Sequence, residues 1–127
     1  EIFNVECTAT AHEVLIPLNS IVGHSNHIVS ECLKQFSIYA PDYTNSLVRW
    51  SRINKYLNDE KGKITVEGCK EWLKDHVNYP LSLCSHEEPP SEIKTMSGMI
   101  MLPKELKILA TYGNPCTQPY IEYWVPK

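Results

Sequence analysis

The stretch Ser20-Ile21-Val22-Gly23-His24-Ser25-Asn26-His27-Ile28 carries a short apolar run into an asparagine flanked by two histidines, where a strand is expected to end. On a strand, side chains alternate between faces, so His24 and Asn26 share one face with Val22 while Ser25 and His27 point the other way. If that strand lines a cleft, Asn26 presents an amide donor to whatever binds there. An asparagine at an isolated strand end is otherwise a turn residue satisfying its own backbone. The divergence of His24 and His27 also argues against a metal held by that pair.

Working outward, residues 1–9 and 13–17 are rich enough in β-branched and apolar residues to predict a hairpin, with 20–27 as a third extended segment. Residues 35–42 are turn-like, with Pro41 ending what precedes it. A helix is expected over 44–57, where Leu47, Trp50, Ile53 and Leu57 recur at helical spacing and Arg49, Arg52 and Lys55 fall on a solvated side. Residues 58–62 break it. Thr65 is a good N-cap for a second helix running to about His76, with Val66, Cys69, Trp72 and Leu73 on its apolar face. Residues 78–90, with Pro80, Pro89 and Pro90, form an irregular loop, and loops held on a rigid scaffold often carry function. Strands follow at 94–102, 106–112 and 120–125. Strands, two helices and strands again define an α+β layered fold.

With 127 residues the chain fits one domain, 1–127, and its net charge of −3, spread without long runs of one sign, argues against nucleic acid or an anionic membrane as partner. The longest apolar stretches, such as 99–103, fall far short of the roughly 20 residues that span a bilayer. Cysteines at 7, 32, 69, 84 and 116 are odd in number and irregularly spaced, which fits reduced thiols in a cytoplasmic protein. There is no initiator Met, and residues 1–5 already read as strand. The chain is therefore expected to begin inside a folded unit whose open strand edge pairs with another polypeptide or an upstream segment.

Cys84-Ser85-His86 offers two metal-ligand types, but no matching pair stands at a recognisable spacing, so no metal and no cofactor is expected. No local pattern around the cysteines is that of a protease nucleophile, and the scattered glycines exclude a phosphate loop.

Gly23-His24-Ser25-Asn26-His27 and Asn78-Tyr79-Pro80-Leu81-Ser82-Leu83-Cys84, with the Thr95-Met96-Ser97-Gly98-Met99-Ile100-Met101 strand and the Gly113-Asn114-Pro115-Cys116 turn, occur in an informative order. Together they resemble the acyl-coenzyme A:6-aminopenicillanic acid acyltransferase family of cysteine N-terminal-nucleophile hydrolases, whose animal members include β-alanyl-dopamine (carcinine) hydrolases. The likeness spans essentially the whole chain. It implies an αββα sandwich, a precursor that cuts itself before a cysteine, and a free α-amine that serves as base for that cysteine's thiol. It implies further that this chain is the C-terminal half, that the nucleophile lies on a companion segment, and that Asn26 donates to the oxyanion. Tyr79 and Ser82 fall where substrate or its supporting groups are met. Glu92 takes the approximate place of an arginine in the penicillin-forming member, which points to a cationic amine substrate. The expected partners are thus the companion segment and a small-molecule amide, with higher homo-oligomers left open. A noncatalytic α+β interaction module that kept the sheet without the chemistry is the alternative.

Overall fold

The computed structural model describes residues 3–37, 43–89 and 91–126, and its backbone divides into two compact units, Glu1–Gly62 and Lys63–Lys127. The fold is mixed α+β, with two helices and two small antiparallel sheets in the expected order of strands, helices and strands. What was expected of residues 1–2, 38–42 and Pro90 lies outside the described residues. Among the described residues, no helix is long and apolar enough to cross a membrane.

In the first unit, β1 (Asn4–Cys7) and β2 (His12–Leu15) pair antiparallel from Asn4↔Leu15 to Cys7↔His12. The Thr8 hydroxyl closes the connecting turn by accepting from the Ala11 amide at 3.0 Å. The alternation of this hairpin is inverted. Val5 and Val14 face each other exposed to solvent, with Phe3 and Ile16 beside them in sequence also exposed, while Glu6 is only 6% exposed. Glu6 can be buried because its carboxylate accepts from the Val29 amide at 2.7 Å and the Ser30 amide at 2.8 Å, and meets His24 Nε2 at 2.5 Å.

Those bonds explain why residues 20–27 do not form the expected third strand. Asn19 and Ser20 sit in the left-handed region (φ 56° and 65°) inside a tight turn closed by a Leu18↔Ile21 bridge. Beyond it the backbone amides go to side chains instead of a ladder: those of Asn26 and His27 to Ser46 Oγ, at 2.9 and 3.0 Å, and those of Val29 and Ser30 to Glu6. Without a strand the face alternation does not apply. His24 turns back to Glu6, and His27 packs edge-on against Trp50 with its Nδ1 2.9 Å from Ser46 Oγ.

Helix α1 (Tyr43–Asp59) matches the predicted span, but its inward side differs from the predicted stripe. Leu47 is 49% exposed, whereas Asn45 and Ser46 are buried. The physical reason is the strandless segment beside it: its amides require acceptors, and Ser46 in the first turns of the helix supplies one. Arg49 likewise leaves the purely solvated side assigned to it, donating through Nε to Asn45 Oδ1 and through a terminal nitrogen to Asn26.

In the second unit, Thr65 caps α2 (Val66–Trp72) by accepting from the Gly68 amide at 3.0 Å, and Trp72 is buried. The helix stops short of His76 because Asp75 turns the chain: its carboxylate accepts from the Val77 amide at 2.8 Å and its carbonyl from the Cys84 amide at 3.0 Å. Strands β3 (Met99–Leu102), β4 (Lys107–Ala110) and β5 (Ile121–Trp124) form an antiparallel meander. β3 begins later than expected, since Thr95 is engaged with the 83–85 loop through both its amide and its hydroxyl. Ile100 and Leu109 face inward. Met99, Met101, Ile121 and Tyr123 stand on the opposite face, each between 49% and 61% exposed.

Glu6→Ala is expected to destabilise the first unit by about 2–4 kcal/mol, because it strands two backbone donors as well as His24. Burial alone would raise the Glu6 carboxyl, but the His24 bond and the Val29 and Ser30 amides outweigh it and hold it below its ordinary value of 4.5. A depressed carboxyl stabilises fully above its unfolded value and loses that contribution as pH falls through its folded one. Denaturant unfolding should therefore show stability declining as pH drops below about 4.5, with that acid limb flattened in Glu6→Ala.

Candidate functional site

Asn26 in the first unit is exposed and sits where two successive amides wrap the Ser46 hydroxyl. Its side-chain oxygen accepts from the Arg49 guanidinium at 2.7 Å. Because Arg can only donate, this bond fixes which end of the amide is which, and Nδ2 is turned away from the guanidinium. Ser46 Oγ is also 3.1 Å from Ser25 Oγ, so the whole 25–27 turn is tied to α1. Burial, reinforced by the charges of His24 and Arg49, holds His27 below the ordinary imidazole value. The string singled out in the sequence is thus a rigid turn presenting one amide group, with its two histidines engaged elsewhere.

The second unit brings together residues that the sequence leaves far apart. His76 follows α2, Cys84 and His86 lie in the irregular loop, and Cys116 sits in the turn between β4 and β5. One ligand atom from each lies within 4.8 Å of every other. His76 Nε2 is 3.0 Å from His86 Nε2, and the Cys84 and Cys116 sulfurs are 3.5 Å apart. His86 Nε2 is 3.7 Å from the Cys84 sulfur and 3.5 Å from that of Cys116. The expectation that Cys84 and His86 lack matching ligands is therefore corrected. The sequence signal was present in Cys84-Ser85-His86, but its complement stands on both sides at no standard spacing, joined only by the folding of the unit.

The frame around this cluster is built from hydrogen bonds. The Tyr79 amide donates to the His76 carbonyl at 3.0 Å and the His86 amide to the Pro80 carbonyl at 2.9 Å. Asn114 Nδ2 lies 2.7 Å from the Ser85 carbonyl and 3.4 Å from the Cys84 sulfur. Burial, with the Cys84 sulfur beside it, pushes the Cys116 thiol up from its ordinary value. Gly98 lets the Cys116 turn approach: a Cβ there would lie 2.6 Å from Pro115 Cγ and 2.9 Å from the Tyr120 hydroxyl.

Of the other predicted site residues, Tyr79 is exposed, its ring 5.3 Å from that of His86 and 5.9 Å from that of His76. Its bond to Glu88 pushes the phenol up to about 12, so it remains a neutral donor. Ser82 is fully buried; its hydroxyl donates to the Cys84 carbonyl at 2.7 Å and its carbonyl accepts from Ser85 Oγ at 2.7 Å. That places Ser82 in the turn that shapes the Cys84 loop, out of reach of a ligand in solvent. Glu92 is exposed on the same loop. No family model matches this chain, and a search of the curated proteins gives no match.

Gly98→Ala is expected to destabilise the second unit by about 1–3 kcal/mol, since proline cannot yield as a flexible side chain would. Thermal unfolding measures the loss. Replacement of Pro115 by Ala in the Gly98→Ala background should recover part of it.

Proposed function

We propose that this chain is the C-terminal portion of a self-processing cysteine amide hydrolase or acyltransferase of the N-terminal-nucleophile class. The substrate is a small N-acyl amine, such as a β-alanyl amine. The thiol nucleophile comes from a segment outside this sequence, and Asn26 is the oxyanion donor. The observation that carries this reading is the Arg49–Asn26 bond at 2.7 Å, which leaves an oriented, exposed amide N–H₂ at the position that the resemblance assigns to the oxyanion donor.

The chemistry follows from that group. When a thiolate adds to an amide carbonyl, negative charge gathers on the oxygen. A donor already aimed at that charge stabilises the transition state without reorganising. The guanidinium on Asn26 Oδ1 withdraws electron density from the amide and makes its N–H a stronger donor. The exposed carboxylate of Glu92 fits a cationic amine, and Tyr79 supplies a neutral phenol beside the loop. Ser82 contributes by holding that loop.

The companion segment is supported by the sheets. The hairpin shows Val5 and Val14 to solvent, and the meander shows Met99, Met101, Ile121 and Tyr123. In an αββα sandwich such faces are covered by further layers. A noncatalytic interaction module is the second reading, because the same open faces also fit a protein partner. Identifying every polypeptide that copurifies with the native protein separates the two: a partner beginning with cysteine supports the enzyme, and a lone folded monomer of 14.6 kDa supports the module.

In the complete, processed protein, Asn26→Ala should lower kcat by about 10²–10³ with little change in KM, because the lost bond forms mainly in the transition state. Steady-state kinetics on a β-alanyl amine, with processing checked by mass, tests it; a wild-type rate from fully processed Asn26→Ala protein removes Asn26 from catalysis.

A further inference from the structure

The geometry points to a structural zinc site formed by His76, Cys84, His86 and Cys116, independent of any hydrolase activity. Two thiolates and two imidazoles are a donor set suited to tetrahedral Zn²⁺, and four protein ligands leave no open position for a substrate, which marks a structural centre.

The distances can be set against that geometry. With Zn–S of about 2.3 Å and Zn–N of about 2.0–2.1 Å, a tetrahedral centre separates its donors by about 3.8 Å for sulfur to sulfur, about 3.5–3.6 Å for sulfur to nitrogen and about 3.3–3.4 Å for nitrogen to nitrogen. The corresponding separations are 3.5 Å, then 3.7 and 3.5 Å, then 3.0 Å. Every remaining ligand pair is held within 4.8 Å. Four donors converging on one point at these spacings are what a shared ion requires. A pairwise hydrogen-bond chain would need only adjacent members to touch.

The surroundings carry the same chemistry. Cys84 is 0% exposed, which keeps water from its sulfur. Asn114 Nδ2 lies 3.4 Å from the same sulfur while also bonding the Ser85 carbonyl. A donor on a ligand sulfur orients it and disperses its charge when it binds a cation. The unit also has a structural need for a staple. Its described buried apolar side chains are Trp72, Cys84, Ile100, Leu109 and Pro115, and units of this size often rely on a disulfide or a metal to supplement so small a core. The ligands come from the end of the α2 segment, from the long loop and from the β4–β5 turn. One ion therefore closes two loops at once. On binding, each cysteine gives up its thiol proton to solvent and the imidazoles coordinate as neutral ligands, so that Zn²⁺ carries two thiolates.

The full-length protein, purified under reducing conditions without chelator, tests this directly by elemental analysis. About one zinc per chain is expected, with that zinc lost in Cys84→Ser/Cys116→Ser. Replacement by Co²⁺ should give the intense visible bands of a tetrahedral ion and a thiolate charge-transfer band in the near ultraviolet. Asn114→Ala should retain those bands but weaken metal affinity by about 10–100-fold. The cobalt spectrum of the wild-type protein keeps the test open if the double variant does not fold. The proposal is overturned by a metal-free protein that gives no tetrahedral cobalt spectrum, by zinc retained in a folded double variant, or by a native Cys84–Cys116 disulfide found by mass analysis.

Discussion

A buried backbone N–H that finds no acceptor costs about 1–3 kcal/mol, and this constraint organises both units of the chain. The described strands are four residues each, too short to satisfy the long irregular segments between them. Side-chain oxygens take over that role. Glu6 receives Val29 and Ser30, Ser46 receives Asn26 and His27, Asp75 receives Val77, and the Thr95 and Thr111 hydroxyls receive Ser85 and Gly98. The polar residues are inside because the backbone around them is not in ladders.

That choice has consequences for the apolar residues. Glu6 occupies the inner side of the hairpin, so Val5 and Val14 must look outward; Ser46 holds the 25–27 turn and Asn45 is buried before it, while Leu47 is left in solvent. The meander divides similarly, with Ile100 and Leu109 inside and a Met–Tyr–Ile face outside. Polar satisfaction thus takes up interior space in the first unit, and both units carry apolar surface on the outside of their sheets. Such surface is the natural place for another layer of protein, whether from the same polypeptide or from a partner.

The candidate chemistry rests on the same economy of placement. A turn wrapped on one hydroxyl holds Asn26 rigidly enough for Arg49 to fix its amide, and a loop tied through Ser82, Ser85 and Thr95 brings Cys84 and His86 to His76 and Cys116. The first arrangement supports polarised hydrogen-bond donation, the second metal coordination. They are separate in chemistry, and each belongs wholly to its own unit.

The hairpin, both helices, the proline-rich loop and the closing strands were legible from the sequence because each depends on neighbours a few residues away: β-branched content, a 3.6-residue stripe, an N-cap threonine, a cluster of prolines. Residues 20–27 were misread as strand because the same apolar content suits an irregular segment once Glu6 and Ser46, distant in sequence, accept its amides. Helix α2 ended early for an equally nonlocal reason, the capture of the Cys84 amide by the Asp75 carbonyl. Asn26 stood out in the sequence only as part of a motif, and the orientation of its amide came from Arg49 on α1. For the cysteines and histidines the gap is widest. Composition alone set their types, whereas the fold of the second unit set their separations, since a spacing of eight, two and thirty residues has no meaning until a helix end, a loop and a sheet turn close around one point.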